Sequence, residues 1–211
     1  TWKEIIIKIA RKNKPIFLAC GASTLKETTD AVKTILKINK KLVLMQCNTN
    51  YTNKLENLNY INLKALNQFK RIFKKKIILG LSDHTSGHAS VIGAITMGAR
   101  VIEKHFTDNN NRKGPDHKFS MNPKTWSKMI EVSRQLEKSL GDGFKKLEKN
   151  EKESVVVQRR GVWAKNKLYK GEKLKSQDLK ILRPCPKRSI SPFFLKKYLG
   201  KKLKKNIKEN S

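Results

Sequence analysis

Long apolar runs are absent: no stretch approaches the roughly 20 residues that a membrane-crossing helix requires, so no membrane partner is expected. The chain opens on Thr1 rather than on a methionine, and no charged start, apolar middle and small-residue cleavage site mark a signal peptide. Cysteine is sparse. Cys20, Cys47 and Cys185 are odd in number and lack metal-ligand spacing, which argues against a disulfide framework or a thiolate cluster and favours free thiols in a reducing cytoplasm. No GxGxxG is present, so a dinucleotide fingerprint is excluded. Acidic residues are also few: 17 against 48 lysines and arginines, a formal net charge of +31. That surplus raises nucleic-acid binding. Yet only nine of the 48 are arginine, aromatics make up 7%, and the lysines are spread through every segment among asparagine and isoleucine. Readers of nucleic acid cluster arginine and stacking rings on one face. No specific nucleic-acid partner is therefore expected, only weak and salt-sensitive adhesion to polyanions.

What is present is a repeating pattern. With 211 residues the chain can bury a real core in one or two domains. Residues 1–14 read as an amphipathic helix ended by Pro15, and Ile16–Gly21 as a short buried strand. Thr24 and Glu27 form a capping box ahead of Val32, Ile35 and Leu36 at helical spacing. Leu42–Cys47 is the next strand, followed by a polar turn and a helix over Leu63–Phe73. The stretch IILGLSDHTSGHASVIGAITMGARVIEKHF, residues 77–106, reads as strand, small-residue helix and strand, a parallel βαβ unit. Strand starts near 15, 42, 77 and 101 are thus separated by helices. This is the rhythm of a βα-barrel or an open parallel sheet, and four units alone cannot close an eight-stranded barrel.

Beyond His105 lies a polar loop, 107–120, and then a helix capped by Asn122 with Pro123 first. The charged, glycine-punctuated residues 141–154 read as a linker between a domain spanning 1–140 and a small β-rich one spanning 155–211. In the latter, Val155–Val157 and Gly161–Ala164 read as short strands.

Two histidines fall where strands finish, and the C-terminal edge of a parallel sheet is where ligands bind. His84 and His105 are candidate ligands of a metal that polarises a carbonyl oxygen; the plainer alternative has each ring bonded to neighbouring backbone. Asp83, Glu103 and Asp116 could complete such a shell, and Glu103 shares the strand face of His105. Ser82, Thr49 and Asn50 suit hydrogen bonds to phosphate or sugar, or ordinary turn chemistry. Tyr51 is a sugar platform or a loop anchor.

Taken together, GLSDHTSGHASVIGAITMGARVIEKHFT and GPDHKFSMNP resemble the sialic acid synthase family. PIFLACGAST, LVLMQCNTNYTN, LGDGFKKLEKNE, RRGVWAKNKLYKGEKL and LKILRPCP match further family blocks in order. The resemblance implies an α/β fold: the second half of a (β/α)8 TIM barrel, four βα units, followed by a small antifreeze-like (SAF) domain. It implies condensation of phosphoenolpyruvate with an N-acetylated amino sugar such as N-acetylmannosamine, with release of phosphate. It implies a divalent metal, manganese or magnesium, on His84 and His105. Ser82 matches a serine that contacts the phosphoenolpyruvate phosphate, Thr49 stands where some members carry a phosphate-contacting asparagine, and Tyr51 and Asp116 match sugar-holding residues. Arg183 matches the SAF-domain arginine that reaches the partner's site in a domain-swapped homodimer. The first half of the barrel, with the family's catalytic glutamate, lies outside the matched blocks, and the 211 residues alone are expected to be inactive. A metal-dependent aldolase or isomerase, or a non-catalytic glycan or polyanion binder, are the competing readings.

Overall fold

The computed structural model describes residues 2–51 and 54–211; Thr52 and Asn53, which close the LVLMQCNTNYTN block, lie outside the described residues, as does Thr1. The chain divides into two compact units, 1–143 and 144–211.

The first unit is a four-stranded parallel sheet in the order β1-β2-β3-β4, with β1 Ile16–Ala19, β2 Leu42–Cys47, β3 Ile78–Asp83 and β4 Val101–Lys104. Its helices are α1 Lys3–Ala10, α2 Leu25–Leu36, α3 Ala65–Phe73, α4 Ala89–Thr96 and α5 Pro123–Ser139. Alternation along the strands divides the sheet into two faces. Ile16, Leu42, Leu44, Leu79 and Leu81 pack with Val32, Ile35, Leu66, Phe69, Val91 and Met129 of the helices in one buried core. The opposite parity, Phe17, Val43, Met45, Ile78, Ser82 and Glu103, turns away from that core. Phe17 and Ile78 remain 55% and 50% exposed there. Met45 lies over Gly80, where an added Cβ would come 2.6 Å from the Met45 Cγ and 2.9 Å from the Val101 carbonyl oxygen.

Local signals explain the helix starts. Thr24 accepts from the Glu27 amide and Glu27 accepts from the Thr24 amide, so the expected capping box forms. Asn122 and Thr125 cap α5 in the same reciprocal way, with Pro123 leading.

The second unit contains α6 Lys152–Gln158 and the antiparallel pair β5 Gly161–Ala164 and β6 Leu179–Leu182. Ala164, Leu168 and Leu174 form its small core with Leu179, Leu203 and Ile207. One expectation is corrected here. Val155–Val157 are helical and not a strand, because a reciprocal cap between Glu148 and Glu151 starts a turn at Lys149–Glu151 that runs on into α6. The helix begins inside the stretch expected to be a linker, and β-branching, a modest preference, is overridden by the turn ahead of it.

Candidate active site

The parallel register brings the chemistry to one edge. Cys47 is level with Ser82, Ser82 with Glu103, and Asp83 with Lys104. One residue further on, His84 and His105 leave their strands on the face turned away from the helices, with ring centroids 5.2 Å apart and planes at 71°. Tyr51, from the turn after β2, closes a third side, 4.3 Å from the His84 ring and 5.6 Å from the His105 ring. The sequence-based candidates His84, His105, Tyr51 and Ser82 are thus gathered at one place.

His84 is tied back through one ring nitrogen, and His105 has a carboxylate at ion-pair distance. His84 Nδ1 lies 2.7 Å from the Asn48 carbonyl oxygen. A carbonyl only accepts, so Nδ1 is the donor, and the neutral tautomer this selects has its lone pair on Nε2. His105 Nδ1 lies 3.5 Å from Asp116 Oδ2, again an acceptor. Histidines that ligate metals are held as His84 is, by an outer acceptor on the nitrogen that does not bind. Two imidazoles side by side are donors of the kind a divalent cation takes; among the described residues no third His, Cys, Asp or Glu completes a cluster with them. Two ligands leave further coordination positions open to oxygen donors.

The loop after β4 folds back onto the strand end. The Met121 amide donates to the His105 carbonyl at 2.8 Å, and the Thr107 amide to the Met121 carbonyl at 2.9 Å. Asn110 braces the loop by donating to the carbonyls of His117 and Ser120, and its own Oδ1 accepts from Asn122. This places Asp116 near His105 and stacks buried Phe119 5.2 Å from the His105 ring. Phe119 escaped the sequence reading; the available signal was a single aromatic inside a polar loop.

Ser82 donates to Glu103 Oε1 at 2.8 Å, so the two share the face of His105, as alternation along β4 predicts. Thr49 and Asn50 lie with Tyr51 in an open depression bounded by Cys47 and Tyr60, and Thr49 packs so closely on Gly21 that a Cβ there would meet its methyl at 2.3 Å. Asp83, expected as a possible ligand, is removed from that role. Its carboxylate points to the opposite face, where it takes the Lys104 ammonium at 2.7 Å and the Thr85 amide and hydroxyl. Arg183 belongs to the second unit, directly after β6.

All three cysteines are free. Burial pushes the Cys20 thiol up to about 11, and burial likewise raises Cys47. Neither is a thiolate at neutral pH.

Comparison with known proteins adds the decisive observation. Residues 1–145 match the model of the NeuB family, and residues 159–211 match that of the SAF domain. The chain belongs to the NeuB family. This NeuB-family chain is 37% identical over 206 residues to the N,N'-diacetyllegionaminic acid synthase of Campylobacter jejuni, covering 96% of this chain and 60% of that protein. It is 34% identical over 209 residues to the pseudaminic acid synthase of Helicobacter pylori, covering 99% and 59%. Among solved structures it resembles the N-acetylneuraminic acid synthetase of Leptospira borgpetersenii in complex with citrate, with a TM-score of 0.64 at 26% identity over 72% of this chain and 52% of that one. The chain thus spans about 60% of the length of the curated relatives it matches.

Proposed function

We propose that this chain carries the cation-holding edge of a synthase that joins phosphoenolpyruvate to an N-acetylated amino sugar, giving a nonulosonic acid and inorganic phosphate. The observation that carries the reading is the pair of imidazoles 5.2 Å apart, with His84 Nδ1 held by the Asn48 carbonyl and the Asp116 carboxylate 3.5 Å from His105 Nδ1. The relatives named above are synthases of such acids, which supports the reaction class.

In that reaction the enol carbon of phosphoenolpyruvate bonds to the sugar aldehyde carbon. The aldehyde oxygen takes up a proton, a water oxygen adds to the former C2, and the C2–O bond to phosphate breaks. His84 and His105 would hold the divalent cation, manganese or magnesium, which supplies Lewis acidity toward an aldehyde oxygen. Tyr51 and Phe119 flank the rings and limit the directions they can turn. Ser82 is the proposed phosphate contact; its hydroxyl proton, given to Glu103 here, must turn toward the phosphate on binding. Thr49 is proposed beside it. Asp116 is proposed to take a sugar hydroxyl while its other oxygen stays near His105. Arg183 is proposed to reach the sugar from the second unit of a partner in a domain-swapped homodimer, in the cytoplasm. Holding both substrates at attack distance removes much of the entropic barrier.

The sheet is proposed as the second half of an eight-stranded barrel. Its two unpaired edges, β1 and β4, and the exposed Phe17 and Ile78 on the face away from the helices support that reading. A partner segment of four further βα units would close it.

The test is acceptor-dependent phosphate release from phosphoenolpyruvate by a protein of the family's full length that contains this chain, across a panel of N-acetylated amino sugars. His105→Ala is expected to lower turnover by about two orders of magnitude or more. Turnover of a sugar without phosphoenolpyruvate would instead support an aldolase or isomerase.

A further inference from the structure

Asp83 and Lys104 form an ion pair whose side chains are 0% and 2% exposed, on the sheet face opposite the two histidines. Lys104 Nζ reaches Asp83 Oδ2 at 2.7 Å and the Thr85 carbonyl at 2.6 Å. Asp83 Oδ1 accepts from the Thr85 amide at 3.0 Å and its hydroxyl at 2.9 Å, and that hydroxyl lies 3.3 Å from Ser90 Oγ in the first turn of α4. Asp83 and Lys104 are register partners across β3 and β4, and each is followed at once by a histidine. The pair therefore acts one residue away from the place where the two rings meet.

Neither group touches the open face, so neither is a catalytic residue. A buried pair of this kind is costly to desolvate, so the charge pairing itself adds little net stability. What the pair supplies is direction. The contacts of Asp83 with Lys104 and Thr85, and of Lys104 with the Thr85 carbonyl, lock two strand ends and the start of α4 in a single register. We infer that Asp83 and Lys104 are positioning residues that set the spacing of His84 and His105 for a shared divalent cation. The inference rests on the cation reading above.

Three measurements on the full chain test it: thermal melting, the nuclear Overhauser contact between the His84 and His105 ring protons, and Mn2+ affinity by electron paramagnetic resonance. The double variant Asp83→Leu/Lys104→Met is expected to fold with a lowered melting temperature, since the buried Thr85 amide, hydroxyl and carbonyl lose these partners. It is expected to lose the ring-to-ring contact and to bind Mn2+ more weakly by about 10-fold or more, of the order seen when support of a metal ligand is removed. A double variant that keeps the contact and the affinity overturns the inference. Should it not fold, Thr85→Val retains the ion pair and removes the hydroxyl's contacts with Asp83 and Ser90; a several-fold loss of Mn2+ affinity with a weakened ring contact is expected, and unchanged values overturn the inference. A wild-type chain that binds no Mn2+ overturns the cation reading instead, and the ring contact still decides the positioning role by itself.

Discussion

A histidine at a strand end becomes a ligand candidate when its proton is held elsewhere, and His84 meets that condition through the Asn48 carbonyl. The sequence marked His84 and His105 as a pair but left the tautomer open, because the acceptor is a backbone atom of the neighbouring strand end, 36 residues away in the chain. Asp83 was misread for a related reason. Alternation places it on the helix side, and only the register shows that Lys104 waits there. The thiols offer a check at this scale. Cys20 and Cys47 are buried, with pKa values raised by burial, whereas Cys185 is half-buried. Alkylation at neutral pH followed by peptide mapping is expected to label Cys185 first, and the other two only on denaturation. Rapid labelling of Cys20 in the native chain would contradict its placement.

Among the elements, the helices with capping signals were the most legible, since Thr24–Glu27 and Asn122–Pro123 act within a few residues of themselves. Val155–Val157 were not, because their conformation is decided by the turn started at Glu148. Thr24→Ala is expected to cost about 1 kcal/mol in denaturant unfolding, the usual worth of such a cap. The Glu27 carboxyl is held below its ordinary value, first by the Thr24 amide and then by the Thr24 hydroxyl. Its contribution is therefore present above the ordinary glutamate range and fades as pH falls through the lowered value. The stability difference between wild type and Glu27→Gln is expected to shrink on acidification, and a difference that grows would contradict the capping role. Gly80 tests the sheet. A Cβ there meets the Val101 carbonyl at 2.9 Å, which cannot move aside as a side chain can, so Gly80→Ala is expected to lower the melting temperature by several degrees.

The first unit has a sheet whose edge strands β1 and β4 carry no outer strand partner among the described residues, with Phe17 exposed on one of them. Unpaired edges template association. Sedimentation of this chain is expected to show concentration-dependent self-association that Phe17→Lys reduces; identical behaviour of the two would contradict that origin. The parallel order was legible from the spacing of apolar runs, because each run needs a helix to return to the same edge. The loop that sets Phe119 and Asp116 beside His105 was not, since it depends on Asn110 bonding to residues further along its own loop. The most direct test of the central claim is pulsed electron paramagnetic resonance of Mn2+ added to this chain. Couplings to two imidazole nitrogens are expected, falling to one in His105→Ala; a spectrum with no nitrogen coupling, or one that His105→Ala leaves unchanged, would contradict it.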